Sequence, residues 1–404
     1  MFDGLRDRRW RFVASAALAV GLAGTYQFAW PVLRGPIGAQ SGASGPALGT
    51  VFTGMIVAQT LAAFPAGWIR DRYGPRLPML VATLFVVIGY AGTAIAPTTP
   101  ELYLWFAVGG AGVGIAYDVA INTPSRWFRT RRGLATGAVS MAFSLTSFAL
   151  IPFVHRAVDA AFATTMLALA AAAGAASLVA AFVIRDPRPA SAAPSSGAAS
   201  DGGEATADAA TAMSWRSMIE TRGFWLLYTV FVVVNGVGLM VIEKVVTYAG
   251  ELGLSTAEAT AAASIVALGQ GSGVLAGGAA SDKLGAERTV AASLFLTGFA
   301  IVGVVAAGRM GFEWAFVALA GVTMFFRSPA FGILPGVVSE RFGRTYSGEN
   351  YGVMLTAKLW GGVFGGTATS LLVLRIGWSA TFLVGAALAI AVGAVALVVF
   401  VRSS

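Results

Sequence analysis

Twelve stretches of about 20 mainly apolar residues run through this sequence and leave room for little else. They lie at roughly 12–33, 48–69, 77–96, 101–122, 133–154, 162–184, 224–248, 257–280, 289–308, 314–338, 350–373 and 378–400. Such a stretch crosses the hydrocarbon of a bilayer only as a helix, which satisfies its own backbone polar groups where no water can. The expected fold class is therefore an all-α membrane protein of 12 transmembrane helices. Charged residues make up 11% of the 404, far below the roughly 25% of a soluble domain. No cysteine is present, which excludes disulfides, thiolate metal sites and cysteine nucleophiles. One histidine, His155, and few clustered carboxylates leave little for a metal or a catalytic triad, so neither an enzyme nor a cofactor is expected.

Basic residues orient the spans. With the N-terminus inside, 20 arginines and lysines fall on inner segments, and only Arg34, Arg156, Arg309 and Arg375 fall on outer loops. Both termini are then cytoplasmic, and the formal charge of +8 marks topology rather than a nucleic-acid partner. The N-terminal Arg6, Arg8, Arg9 and Arg11 followed by an apolar run resemble a secretory signal. No convincing Ala-x-Ala cleavage site follows, and many spans do, so a retained first helix is expected. Arginine-heavy, lysine-poor, alanine-rich usage points to a GC-rich prokaryotic genome and hence to the cytoplasmic membrane.

The interval from Asp186 to about Met213 is rich in Ala, Ser, Gly and Pro and cannot bury a core. It divides the chain into a first half (1–184), a flexible cytoplasmic linker (185–222) and a second half (223–404). The halves echo one another. Gly67, Asp71, Arg72 and Gly74 follow the second span, with Arg76 just beyond, and Gly278, Asp282, Lys283 and Gly285 follow the eighth at an offset of 211, with Arg288 just beyond. Arg126-Trp-Phe-Arg129-Thr130-Arg-Arg-Gly133 and Arg341-Phe-Gly-Arg344-Thr345-Tyr-Ser-Gly348 form a second pair at an offset of 215. Repeats of six spans place a substrate site at their interface, near the bilayer midplane.

The doubled G-x-x-x-D-(R/K)-x-G loop resembles the signature of the major facilitator superfamily, over essentially the whole chain. An acid at a helix end and a cation on a tight glycine loop can act as a conformational latch. That reading covers Gly67, Asp71, Arg72, Gly74 and Arg76, with Asp282, Lys283 and Gly285 as the second copy. Finer features resemble the oxalate/formate antiporter and monocarboxylate porter branch: Arg126–Gly137 before the fifth span, Gly238-Leu-Met-Val-Ile242 in the seventh, and Asn350-Tyr-Gly-Val-Met-Leu-Thr-Ala-Lys358 in the eleventh. The resemblance implies that Lys358 contacts a substrate carboxylate. It also implies an arginine in the eighth span, whose place Val274 takes, with Gln270 one turn earlier.

Lys358 sits in an otherwise apolar run, and a charge at that depth costs at least about 2.5–3.5 kcal/mol, so it needs a partner, water or a substrate. Arg327, near the middle of the tenth span, is expected to approach Lys358 across the cavity and to replace the missing arginine; the competing reading is a structural guanidinium bonding carbonyls freed by Pro329. Glu243 and Lys244 adjoin in the seventh span, about 100° apart on the helix, and are not expected to pair. Lys244 either snorkels outward or joins Glu243 in an outer gate, and Glu243 and Asp118 are candidate proton carriers. Gln27, Phe28, Trp30, Tyr117, Phe143 and Phe331 are candidate pocket residues, with Phe28 and Phe143 giving an apolar wall.

These residues point to a secondary transporter, acting as a monomer in the lipid, that moves a small organic anion, a mono- or dicarboxylate, by alternating access. Coupling is to protons or to a counter-anion, with a lean to proton-linked monocarboxylate transport. The rivals are efflux of lipophilic compounds, which the apolar wall favours and the cations oppose, and a non-transporting membrane sensor, which the lack of a soluble effector domain opposes.

Overall fold

The computed structural model describes residues 9–96, 98–128, 132–186, 213–343 and 346–402, without the side chains of Asp71, residues 124–126, 132–134 and 347–348, and Arg402. Among them there are helices and connecting turns and no strand. Eleven helices are long and apolar enough to cross a membrane, and a bent pair makes a twelfth.

That pair is the first span, Trp10–Phe28 followed by Trp30–Ser41, bent by 53° at Ala29 just before Pro31. It runs past the expected end of the span, so Arg34 lies inside a helix rather than on an outer loop. The next five spans are Gly45–Tyr73, Arg76–Ile95, Thr99–Trp127, Arg132–Ala160 and Phe162–Val183. Spans seven to nine are Arg222–Glu251, Thr256–Leu284 and Ala286–Arg309. The tenth breaks between Glu313–Arg327 and Pro329–Phe342, because a proline supplies no N–H to the helix. The eleventh is assembled from Ser347–Leu355, Ala357–Val363, a π-helical turn at Phe364–Ala368 and Thr369–Ile376. Trp378–Arg402 closes the bundle.

The duplicated loops have matching backbones. Gly74 and Gly285 both end their helices at positive φ, 80° and 86°, a region that favours glycine. Each donates its N–H four residues back, to Arg70 O and Ser281 O. We call the end of the bundle that carries these loops the basic end, and the opposite one the far end. Residues 187–212, most of the expected linker, lie outside the described residues. Past them, Met213 N donates to Phe342 O at 2.9 Å and Asn350 Nδ2 donates to Met213 O at 2.9 Å, and Trp215–Ile219 forms a short helix.

Candidate functional site

The two halves meet along spans that carry small residues where they cross. At the far end the second span lies against the π-helical turn of the eleventh. Thr53 Oγ1 donates to Gly362 O at 2.9 Å and accepts from Thr367 N at 3.0 Å. A β-carbon at Gly366 would stand 2.4 Å from Gly49 O, so only a hydrogen fits. Nearer the basic end, Lys358 is half-buried and donates to Gln59 Oε1 of the second span at 2.7 Å. All of the hydrogen bonds between described residues of the two halves lie at Lys358 or farther toward the far end.

Arg327 is buried beside the same interface. Its Nε donates to Val234 O of the seventh span at 2.9 Å, its Nη1 donates to Gln270 Oε1 of the eighth at 2.6 Å, and the guanidinium lies 4.3 Å over the Phe331 ring. The carbonyl it takes belongs to the seventh span, not to the turn that Pro329 interrupts. Its charge is close enough to that of Lys358 for the two to repel. Among the described residues no carboxylate lies within ion-pair distance of either cation. Two like charges held together in a low-dielectric interior are poised for an anion. Val274, where the resemblance expects arginine, packs instead toward Gly332 of the tenth span.

Aromatic rings of the first half cluster together. Phe143 stands edge-on to Phe28 at 5.5 Å and to Tyr117 at 4.9 Å. Tyr117 in turn lies near Tyr351 of the eleventh span. Tyr351 is two turns before Lys358, on the same face of the eleventh span. Gln27 is buried, with an Oε1 that accepts no hydrogen bond. Trp30 is not brought to this cluster. It is wholly buried between Phe52 and Phe106 of the second and fourth spans, as packing within the first half.

Glu243 and Lys244 correct the expectation that they do not pair. Lys244 Nζ donates to Glu243 Oε2, and also to Ser370 Oγ at 2.9 Å. Lys244 is 1% exposed and Glu243 0%, so neither snorkels. The flexible stems span the angle between neighbouring Cβ atoms, and a buried charge left alone would cost far more than the bent stem. The other oxygen, Glu243 Oε1, accepts from Arg34 Nε at 2.9 Å. Arg34 Nη1 donates to Thr247 Oγ1 at 3.2 Å and Nη2 to Gly45 O at 3.1 Å. The sequence reading missed Arg34, although its setting in Trp30-Pro-Val-Leu-Arg34 continues the apolar run.

Asp118 is half-buried beside Gly67, and Asn122 Nδ2 donates to its Oδ1 at 3.1 Å. At the basic end Arg72 stacks on Trp68 at 4.0 Å and Arg76 on Phe182 at 4.5 Å. Arg70, buried just before them, pairs with Asp186 at 3.5 Å. The side chain of Asp71, the acid of the first latch, lies outside the described residues. In the second copy Asp282 and Lys283 are exposed and make no ion pair among the described residues. Residues 129–131 and 344–345, parts of the second echo, also lie outside them.

The family model described as Major Facilitator Superfamily matches residues 13–243 and again 230–404. The chain belongs to the major facilitator superfamily. It is a multi-pass membrane transporter of that family, not an enzyme. It is 30% identical over 390 residues to the oxalate:formate antiporter of Oxalobacter formigenes, covering 95% of this chain and 89% of that one. It is 24% identical over 339 residues to the uncharacterized MFS-type transporter YhjX of Escherichia coli strain K12, covering 81% and 79%. Among solved structures, a D-xylose-proton symporter superposes with a TM-score of 0.72 at 15% identity, covering 96% of this chain and 97% of that one. The E. coli xylose transporter XylE, in a partially occluded inward-open conformation, gives 0.71 at 14% identity, covering 95% and 97%. At such identity the likeness is one of fold alone.

Proposed function

We propose that this facilitator carries a small organic anion with a carboxylate group across the cytoplasmic membrane by alternating access between its two six-span halves. The reading rests above all on Lys358 and Arg327, a half-buried and a buried cation of adjacent spans that repel one another and, among the described residues, have no carboxylate within ion-pair distance. A substrate carboxylate supplies the missing charge. Lys358 offers a compact ammonium, and Arg327, with Gln270 and Val234 fixing two sides of its fork, a directed pair of donors. The similarity to a protein named for oxalate and formate supports the same substrate class.

The first half favours one carboxylate over two. Phe28, Phe143 and Tyr117 gather into an aromatic cluster on the first half, and a second carboxylate against such rings would lose its hydration with no cation to replace it. The arginine-rich loops set the basic end in the cytoplasm, which makes the far end, where the halves are bonded, the outer one. Asp71, Arg72, Asp282 and Lys283 then serve as latches of the other arrangement, and Glu243 and Asp118 are the carboxylates available for proton coupling. The purified chain in liposomes, offered labelled formate, acetate, lactate, oxalate and malonate, tests this. Accumulation driven by an inside-alkaline gradient marks proton symport; uptake that requires an internal counter-anion marks exchange. If the vesicles take up none of the five, the reading fails.

A further inference from the structure

Arg34 uses its donors in two directions. Nη2 donates to Gly45 O on its own half, whereas Nε and Nη1 cross to Glu243 Oε1 and Thr247 Oγ1 on the other. When the halves part at the far end, the first bond stays and the other two are released. Arg34 is then held in place by its own half, with a planar fork of freed donors turned to the opened mouth. Glu243 is not stranded by that parting. Lys244 remains on it, tied to Ser370 of the same half, so the second half withdraws with a neutral, hydrogen-bonded pair. The closed cluster meanwhile holds two cations and one carboxylate, with no other carboxylate joined to it among the described residues. That surplus positive charge is buried: Lys244 is 1% exposed and Arg34 8%.

We propose that Arg34 is a second anion-binding group, which captures the substrate carboxylate at the far mouth by accepting it in place of Glu243. The incoming carboxylate and the Glu243 carboxylate are the same chemical group competing for Arg34 Nε, while Thr247 Oγ1 gives up the second donor, Nη1. Capture therefore replaces one of the bonds that hold the mouth shut, and substrate binding is coupled to opening. This proposal rests on the carboxylate reading above, and it adds a site that Lys358 and Arg327 do not explain.

Arg34→Gln and Glu243→Gln both delete the Arg34–Glu243 ion pair, and E243Q also leaves Lys244 on a neutral amide, so a group that only held the gate shut would shift both variants in one direction. Capture predicts opposite signs. The test uses the full chain in vesicles sorted by orientation, with the best-carried of labelled formate, acetate, lactate, oxalate and malonate as probe. From the far side, R34Q raises the half-saturating concentration about tenfold or more, and E243Q, which removes the competitor, lowers it several-fold. The ratio of far-side to basic-side half-saturating concentrations therefore rises in R34Q and falls in E243Q. Arg34→Lys, which keeps the charge and loses the fork, falls between parent and R34Q, and it carries the comparison if R34Q does not fold. Shifts of the same sign in R34Q and E243Q, or an unchanged far-side value in the arginine variants, overturn the proposal. A parent that carries none of the five anions overturns the carboxylate reading itself, which is a different result.

Discussion

Gly238 of the seventh span and Arg327 of the tenth occupy adjoining space so closely that a β-carbon at Gly238 would stand 2.1 Å from Arg327 Nε. The guanidinium reaches Val234 O because the residue one turn later has no side chain. Gly238→Ala must push Arg327 away from both Val234 and Gln270. Overpacking of this kind costs about 1–3 kcal/mol. The variant is expected to bind substrate as weakly as Arg327→Gln while keeping its bundle. Equilibrium binding of the best-carried anion checks this, and an affinity equal to the parent's in G238A would show that the arginine's exact seat is irrelevant.

Lys358 donates to a neutral amide, Gln59 Oε1, so its charge is not spent on the fold. Lys358→Gln is expected to lower uptake at least about tenfold, the scale of one charge-assisted hydrogen bond to a substrate. Lys358→Arg should retain part of the binding, since the charge survives and the compact ammonium does not. Initial rates in liposomes over a range of anion concentration separate these outcomes. Full activity in K358Q would remove this residue from the site.

The crossing of the second and eleventh spans has no slack at Gly366, where an added carbon would meet both Gly49 O and Thr53 Oγ1. Gly366→Ala should therefore favour the arrangement in which the far end is open. The chain has no cysteine, so a single cysteine introduced at Thr50, which bonds Thr367 at this crossing, reports access without background. Labelling by a membrane-impermeant maleimide from the far side is expected to quicken several-fold in G366A. An unchanged labelling rate would place the gate elsewhere.

Trp30 is predicted to matter to stability through packing. Truncation to Ala removes a wholly buried ring that stands edge-on to Phe106 at 4.9 Å, a loss of about 3–5 kcal/mol in cores of this kind. Trp30→Phe should recover most of it. The midpoints of thermal unfolding in detergent for the two variants give the comparison. Equal midpoints for W30A and the parent would contradict the packing.

Much of the fold was legible because its causes are local. A run of apolar residues about as long as the hydrocarbon is thick needs no knowledge of its neighbours to become a helix. The glycine loops at Gly74 and Gly285 betrayed the duplication because positive φ is a demand on a single residue. Lys358 stood out for the same reason, as a costly charge in its own segment.

What the sequence could not decide was which charge meets which. Arg34, read as a loop residue, reaches Glu243 across 209 positions of chain. Lys244 turns back onto its neighbour because the interior offers it little else. Arg327 finds a carbonyl of the seventh span and an amide of the eighth. Trp30, which looked like a pocket residue, turns into its own half. Hydrophobic length is a property of one segment and fixed the spans. Pairing in a low-dielectric interior is a property of distance between segments, and only the packed bundle sets that distance.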